Sequence, residues 1–151
     1  MARRLLLLCL IALVGAGQAF ADLPDSTDEM VEHLEFLGYE AELREEEGYL
    51  SFGRDDLPTT LLYEYDGGVL LSVYWVLSVG EDDRETVMEA VNELNAGATT
   101  ARYYLDEDDD LAVEAWFADD YDRREFGRLM ELWREEATDA VTSSPLWDMV
   151  E

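Results

Sequence analysis

Beyond its first two dozen residues the chain alternates between two hydrophobic periods, and the switches between them predict the elements. Met30, Leu34 and Leu37 fall at i, i+4 and i+7, the apolar face of a first helix. Ser26 and Glu29 have capping-box spacing at its start, and Gly38 is placed to end it in a left-handed conformation. Tyr39, Ala41 and Leu43 then alternate with Glu40, Glu42 and Arg44, the period-2 signature of a half-buried strand. A turn over 45–48 leads to a second strand from Tyr49 to Phe52. The loop Asp55-Asp56-Leu57-Pro58 leads to a third over 59–65, rich in β-branched and aromatic residues. Asp66-Gly67-Gly68 tolerates positive φ and predicts a tight hairpin. The next strand, 69–78, is the longest and is apolar on nearly both faces, which places it centrally in a sheet.

The remaining chain repeats the alternation. Residues 80–83 open a second helix with Val87, Val91 and Leu94 as its stripe and Met88 beside it; Asn95-Ala96-Gly97 closes it. Strands over 99–105 and 111–117 flank an acidic turn, Asp106 to Asp110. Residues 119–122 cap a long third helix whose face is Phe126, Met130, Trp133, Ala137 and Val141, and Ser143-Ser144-Pro145 stops it. Leu146, Trp147, Met149 and Val150 form a short apolar tail. The order α-β-β-β-β-α-β-β-α describes an α+β domain: a mainly antiparallel sheet of about five to six strands with three helices on one face.

The first residues follow different rules. Arg3 and Arg4 precede an apolar run over 5–14 that is too short to span a bilayer, and Ala19-Phe20-Ala21 supplies small residues at peptidase spacing. The expected map is a signal peptide over 1–21, a folded domain over 22–142 and a tail over 143–151. That map predicts a periplasmic or secreted bacterial protein with no stable membrane association after signal cleavage. Cys9, the only cysteine, lies inside the apolar run, so the exported chain would hold neither a disulfide nor a thiolate ligand.

Charge narrows the partners. The chain has 37 acidic residues against 10 Lys+Arg, every base is arginine, and the net charge is −27. Losing Arg3 and Arg4 with the leader takes the balance to −29, as 8 basic residues against 37 acidic. Such a surface repels phosphate backbones and anionic lipid, which excludes nucleic acid. A hydrophobic fraction of 48% with regular periodicity argues against disorder.

Candidate chemistry is sparse. His33, the sole histidine, falls off its helix stripe and reads as a solvated residue. Asp106, Asp108 and Asp110 have the spacing that opens a calcium loop, but Leu111 stands where the loop needs glycine and Phe117 where it needs a bidentate glutamate. No G-x-S-x-G elbow or glycine-rich phosphate loop is present. No catalytic, cofactor-binding or metal-ligating residue is therefore predicted, and the expectation is no enzyme and no cofactor.

Residue parity singles out one surface. If Val69, Leu71, Val73, Trp75 and Leu77 face the helices, Tyr74 faces away, as do Tyr104 and Trp116 if Tyr103 and Phe117 point inwards. Arg102 and Glu114 share that outer face. Aromatic residues with an arginine on an otherwise acidic surface read as a protein-docking face, to be covered otherwise by the tail or by a second copy.

The element order carries a resemblance. Leu37-Gly38-Tyr39 at the end of the first helix, Ala90-Val91-Asn92-Glu93-Leu94-Asn95, the segment Ala101-Arg102-Tyr103-Tyr104-Leu105-Asp106-Glu107-Asp108, and Leu132-Trp133-Arg134 together resemble the YbjN-like family of bacterial sensory transduction regulators over about residues 28–141. The resemblance implies a fold like that of type III secretion chaperones, small acidic proteins that often dimerise and bind extended segments of other proteins, and implies no enzymatic activity. The expected function is an exported, non-enzymatic, protein-binding domain of chaperone-like or regulatory type, with a homodimer compatible with the pattern. The alternatives are a periplasmic small-ligand or cation-binding module and, behind it, an unrecognised hydrolase.

Overall fold

The computed structural model describes residues 23, 26–54, 58–80, 83–118 and 121–151. The expected signal peptide and its cleavage site lie outside them. Helix α1 (Thr27–Phe36) leads into strands β1 (Glu40–Arg44), β2 (Tyr49–Gly53), β3 (Thr60–Tyr65) and β4 (Gly68–Trp75). Helix α2 (Arg84–Gly97), strands β5 (Ala101–Leu105) and β6 (Leu111–Phe117) and helix α3 (Arg123–Arg134) follow. All six strands form one antiparallel sheet in the order β1-β2-β3-β4-β6-β5. The element order and the class match the expectation, and β4 is central.

Local chemistry explains the joints. At the end of α1, Gly38 has φ +87, Tyr39 N–H donates to Leu34 C=O and Gly38 N–H donates to Glu35 C=O. That paired closure is a Schellman motif, and it turns the chain directly into β1. Asp66 and Gly67 both have positive φ, as a two-residue hairpin turn requires, and they set Tyr65 opposite Gly68. Asp122 caps α3 by accepting from the N–H groups of Arg124 and Glu125. The capping box expected at Ser26 does not form: Ser26 makes no side-chain cap bond, and α1 relies on its acidic first turn, Asp28 and Glu29.

The core lies between the sheet and its helices. Val69, Leu71, Val73 and Trp75 of β4 pack with Met30 and Leu34 of α1, Val87 and Val91 of α2, and Phe126, Met130 and Trp133 of α3. His33 departs from its expectation. It is 5% exposed, packs against the ring of Phe126, and its Nδ1 lies 3.1 Å from the Tyr121 hydroxyl. Burial and the nearby Arg123 guanidinium hold its pKa below the usual histidine value. Its position off the leucine stripe faces α3, a contact that the α1 periodicity alone does not contain.

Two other features were not foreseen. Helix α3 runs on through a π-helical turn, Glu135–Ala140. Here Tyr103 Oη donates to Glu136 C=O (2.7 Å) and Trp75 Nε1 donates to Ala137 C=O (3.1 Å). Core donors that claim helix carbonyls are a known cause of a widened turn. The tail is an integral part of the domain. Pro145–Met149 forms a 3₁₀ turn, Leu146 is fully buried, and the Trp147 ring meets Trp75 edge-on. Leu77 pairs with Val150 beyond the end of β4, which stops at Trp75 rather than at Ser78.

Candidate functional site

The outer sheet face has a row structure that follows from the strand register. The Asp66-Gly67 turn places Tyr63 opposite Leu70 and Leu61 opposite Ser72; β4–β6 pairing then places Leu70 opposite Trp116, Ser72 opposite Glu114 and Tyr74 opposite Ala112. Pairing of β5 with β6 adds Arg102 beside Glu114 and Tyr104 beside Ala112. Cross-strand partners share a face. The result is three rows: Tyr63, Leu70, Trp116; then Leu61, Ser72, Glu114, Arg102; then Tyr74, Ala112, Tyr104. A polar row is flanked on both sides by aromatic ones.

All five residues singled out from the sequence, Tyr74, Arg102, Tyr104, Glu114 and Trp116, lie on this face. Tyr74, Tyr104 and Trp116 are exposed as expected. Glu114 is not an open surface acid: it is only 5% exposed. Its Oε2 accepts from Arg102 Nε at 2.8 Å, and the arginine side chain covers it while remaining largely in solvent. The Arg102 guanidinium also lies 5.8 Å from the centre of the Tyr104 ring. Trp116 Nε1 donates to Tyr65 C=O (2.9 Å), and its indole crosses Gly68, where an added Cβ would meet Nε1 at 2.9 Å.

The sequence reading missed Tyr63 and Ser72. Tyr63 is half-buried, and its phenol is pushed up to about 12, first by burial and then by the Glu114 carboxylate. The Tyr104 phenol is likewise raised, chiefly by burial. Both rings therefore remain neutral donors near pH 7. Ser72 is 1% exposed, and among the described residues its Oγ is the one buried side-chain polar atom without a hydrogen-bond partner. A buried hydroxyl left unpaired carries a desolvation cost. The two-residue turn could have revealed both residues, because it fixes the β3–β4 register.

The remaining candidates are occupied or structural. Asp106 Oδ1 accepts from the N–H groups of Asp108 and Asp110, Asp110 Oδ1 accepts from Leu77 N–H, and Asp109 pairs with Arg84. These acids build the β5–β6 turn, and no cluster of potential metal ligands occurs among the described residues. Asn95 bonds across to β5 instead of merely ending its helix: its Nδ2 donates to Tyr103 C=O and its Oδ1 accepts from Tyr103 N–H. Glu136 is buried and binds the N–H groups of Thr99, Thr100 and Ala101. A groove of about 290 Å³ beside Ala90, Leu94, Gly97 and Pro145 reaches Glu136, whose carboxylate is already engaged. The tail packs at Trp75 and Leu77 and so does not cover the outer face.

A six-stranded antiparallel sheet with helices on one face, and a patterned second face on which no described element packs, defines an α+β domain. A family model described as "YbjN: Putative bacterial sensory transduction regulator" matches residues 26–143, and the chain belongs to that family. Its fold is similar to the crystal structure titled "YbjN, a putative transcription regulator from E. coli", with a TM-score of 0.66 and 13% identity, over 89% of this chain and 99% of that one. No curated protein matches the chain.

Proposed function

We propose that this domain is an exported, non-enzymatic, chaperone-like protein-binding module that docks its partner on the outer sheet face. The observation that carries the reading is the outer face itself, where exposed Tyr74, Tyr104 and Trp116 flank a row in which Arg102 covers Glu114. Aromatic and arginine side chains are the usual anchors of protein interfaces. The chain's net charge of −27 favours a basic partner by long-range attraction. Regulation through a bound protein agrees with the family description. Export follows from the leader pattern of residues 1–21, and N-terminal sequencing of exported protein should begin at Asp22.

Affinity capture from envelope extract, followed by mass spectrometry, tests the docking face. A protein held by the wild type should be lost by Trp116→Ala and Tyr104→Ala but kept by Met88→Ala, whose exposed side chain lies on α2. Equal capture by all variants would reject the face.

A further inference from the structure

His33 is the one histidine of the chain, and it sits where α1 meets α3. Its ring packs on Phe126 with 5.5 Å between centres, stands edge-on to Tyr121 and meets the Tyr121 hydroxyl with Nδ1. It also lies against Gly127 of α3, where an added Cβ would touch Cε1 and Nε2 at 3.4 and 3.6 Å. Phe36, one turn further along α1, lies under the Arg123 guanidinium, 5.3 Å from the ring centre. His33 and Phe36 thus carry the junction between the two helices.

That junction suits a neutral imidazole. With Nδ1 unprotonated, the Tyr121 hydroxyl can donate to it; a proton there turns the acceptor into a donor. The added charge would sit in a site closed by the Phe126 ring and the Gly127 backbone, where burial disfavours it. The groups around it do not compensate. Among the described residues, Arg123 is the charge that bears on the imidazole, and it has the same sign. The carboxylates of Glu29 and Glu32 on α1 and of Asp122 before α3 bear on the Tyr121 phenol, which burial keeps neutral. Strands β1 and β2, which also pack on α1, turn Ala41, Leu43, Leu50 and Phe52 towards the helices, none of them charged. Below about pH 6.5, an opened α1 with its histidine in water takes the proton first. The closed junction is therefore at full strength above that value and loses strength as pH falls towards the lowered pKa of the buried ring.

We propose that the α1–α3 junction is an acid-released joint, in which a proton on His33 loosens α1 from α3 and uncovers the buried side chains of Met30, Leu34 and Phe126. The joint lies on the opposite side of the sheet from the Trp116 face and works whatever that face binds.

Amide exchange on the full chain, corrected for intrinsic rates, tests the joint at about pH 7.5 and about pH 5.5, on either side of the histidine range. Protection over Thr27–Phe36 should fall at least about threefold at the lower pH, the factor that a pKa difference of about 0.5 produces, while β4 keeps its protection. His33→Gln keeps an acceptor for the Tyr121 hydroxyl but cannot titrate, so the fall should vanish whatever its absolute protection. Arg123→Gln leaves the imidazole in place and removes the like charge. In that variant the NMR titration midpoint of the His33 Cε1 proton should rise, and the fall in α1 protection should shrink. If His33→Gln does not fold, Arg123→Gln decides the question. Wild-type α1 protection indifferent to pH, a fall as large in His33→Gln, an equal fall across β4, or a His33 midpoint at or above the ordinary histidine value would overturn the joint.

Discussion

Trp75 and Trp116 lie on neighbouring strands, and each donates its indole N–H to a backbone carbonyl, yet they live in different environments. Trp75 is 4% exposed, bonded to Ala137 C=O and edge-on to Trp147; Trp116 is 47% exposed and bonded to Tyr65 C=O. The difference is the layer above them. The inner face is sealed by three helices and the tail, whereas among the described residues no helix packs on the outer face, where Arg102 lies over Glu114. A satisfied indole N–H is thus compatible with either role, and the contrast between roles comes from what packs on the ring.

Trp75→Ala offers the largest test of that contrast. It should cost about 3–5 kcal/mol, since it empties an aromatic site in a close-packed core and frees a helix carbonyl. Denaturant melts measure it, and a loss no greater than that of Trp116→Ala would erase the distinction between the faces. Glu136→Gln comes next, at about 2–3 kcal/mol near pH 7, because an amide cannot accept the same set of hydrogen bonds with a full charge. Burial works against the Glu136 carboxylate, but the N–H groups of Ala101, Thr99 and Thr100 outweigh it and lower its pKa. A lowered carboxylate pKa stabilises the fold above the ordinary glutamate range, and that contribution fades as pH falls through the folded value. The gap between wild type and Glu136→Gln should therefore close as pH drops below about 4. A gap independent of pH would assign the effect to shape rather than charge.

Asn95→Ala should cost about 1–2 kcal/mol and, more tellingly, should raise amide exchange along β5 while leaving β1 unchanged. Faster exchange at both edges would mean that Asn95 supports the whole sheet and not one edge. The smallest effect belongs to Trp116→Ala, about 1 kcal/mol in stability, because the ring loses little buried area.

Much of this architecture was legible from periodicity. Strand β4 reads as central because both its faces are apolar, and the structure buries Leu70 and Ser72 on the outer side as well as Val69 and Leu71 on the inner. Gly38 and Asp66-Gly67 read correctly because positive φ is a local property of few residues. Apart from the cap expected at Ser26, the misses are non-local. His33 is polar and off-stripe, and its burial depends on Tyr121 and Phe126, far along the chain. The π turn depends on Trp75 and Tyr103 reaching helix carbonyls from the sheet. The outer-face residues follow from parity, but parity assigns a face and not a depth, so the burial of Glu114 is not contained in it. Its cover is Arg102, placed there by β5–β6 register.

The plugged β5 edge has a consequence in the language of polymer chemistry. A six-stranded sheet with two reactive edges is a bifunctional monomer, able to stack end to end without limit into fibrils. With Asn95 and Glu136 terminating one end, the monomer becomes monofunctional. Two such sheets joined through β1 would present only their β5 ends, where Asn95 and Glu136 already hold Tyr103 and Ala101, and step growth would have no second edge to use.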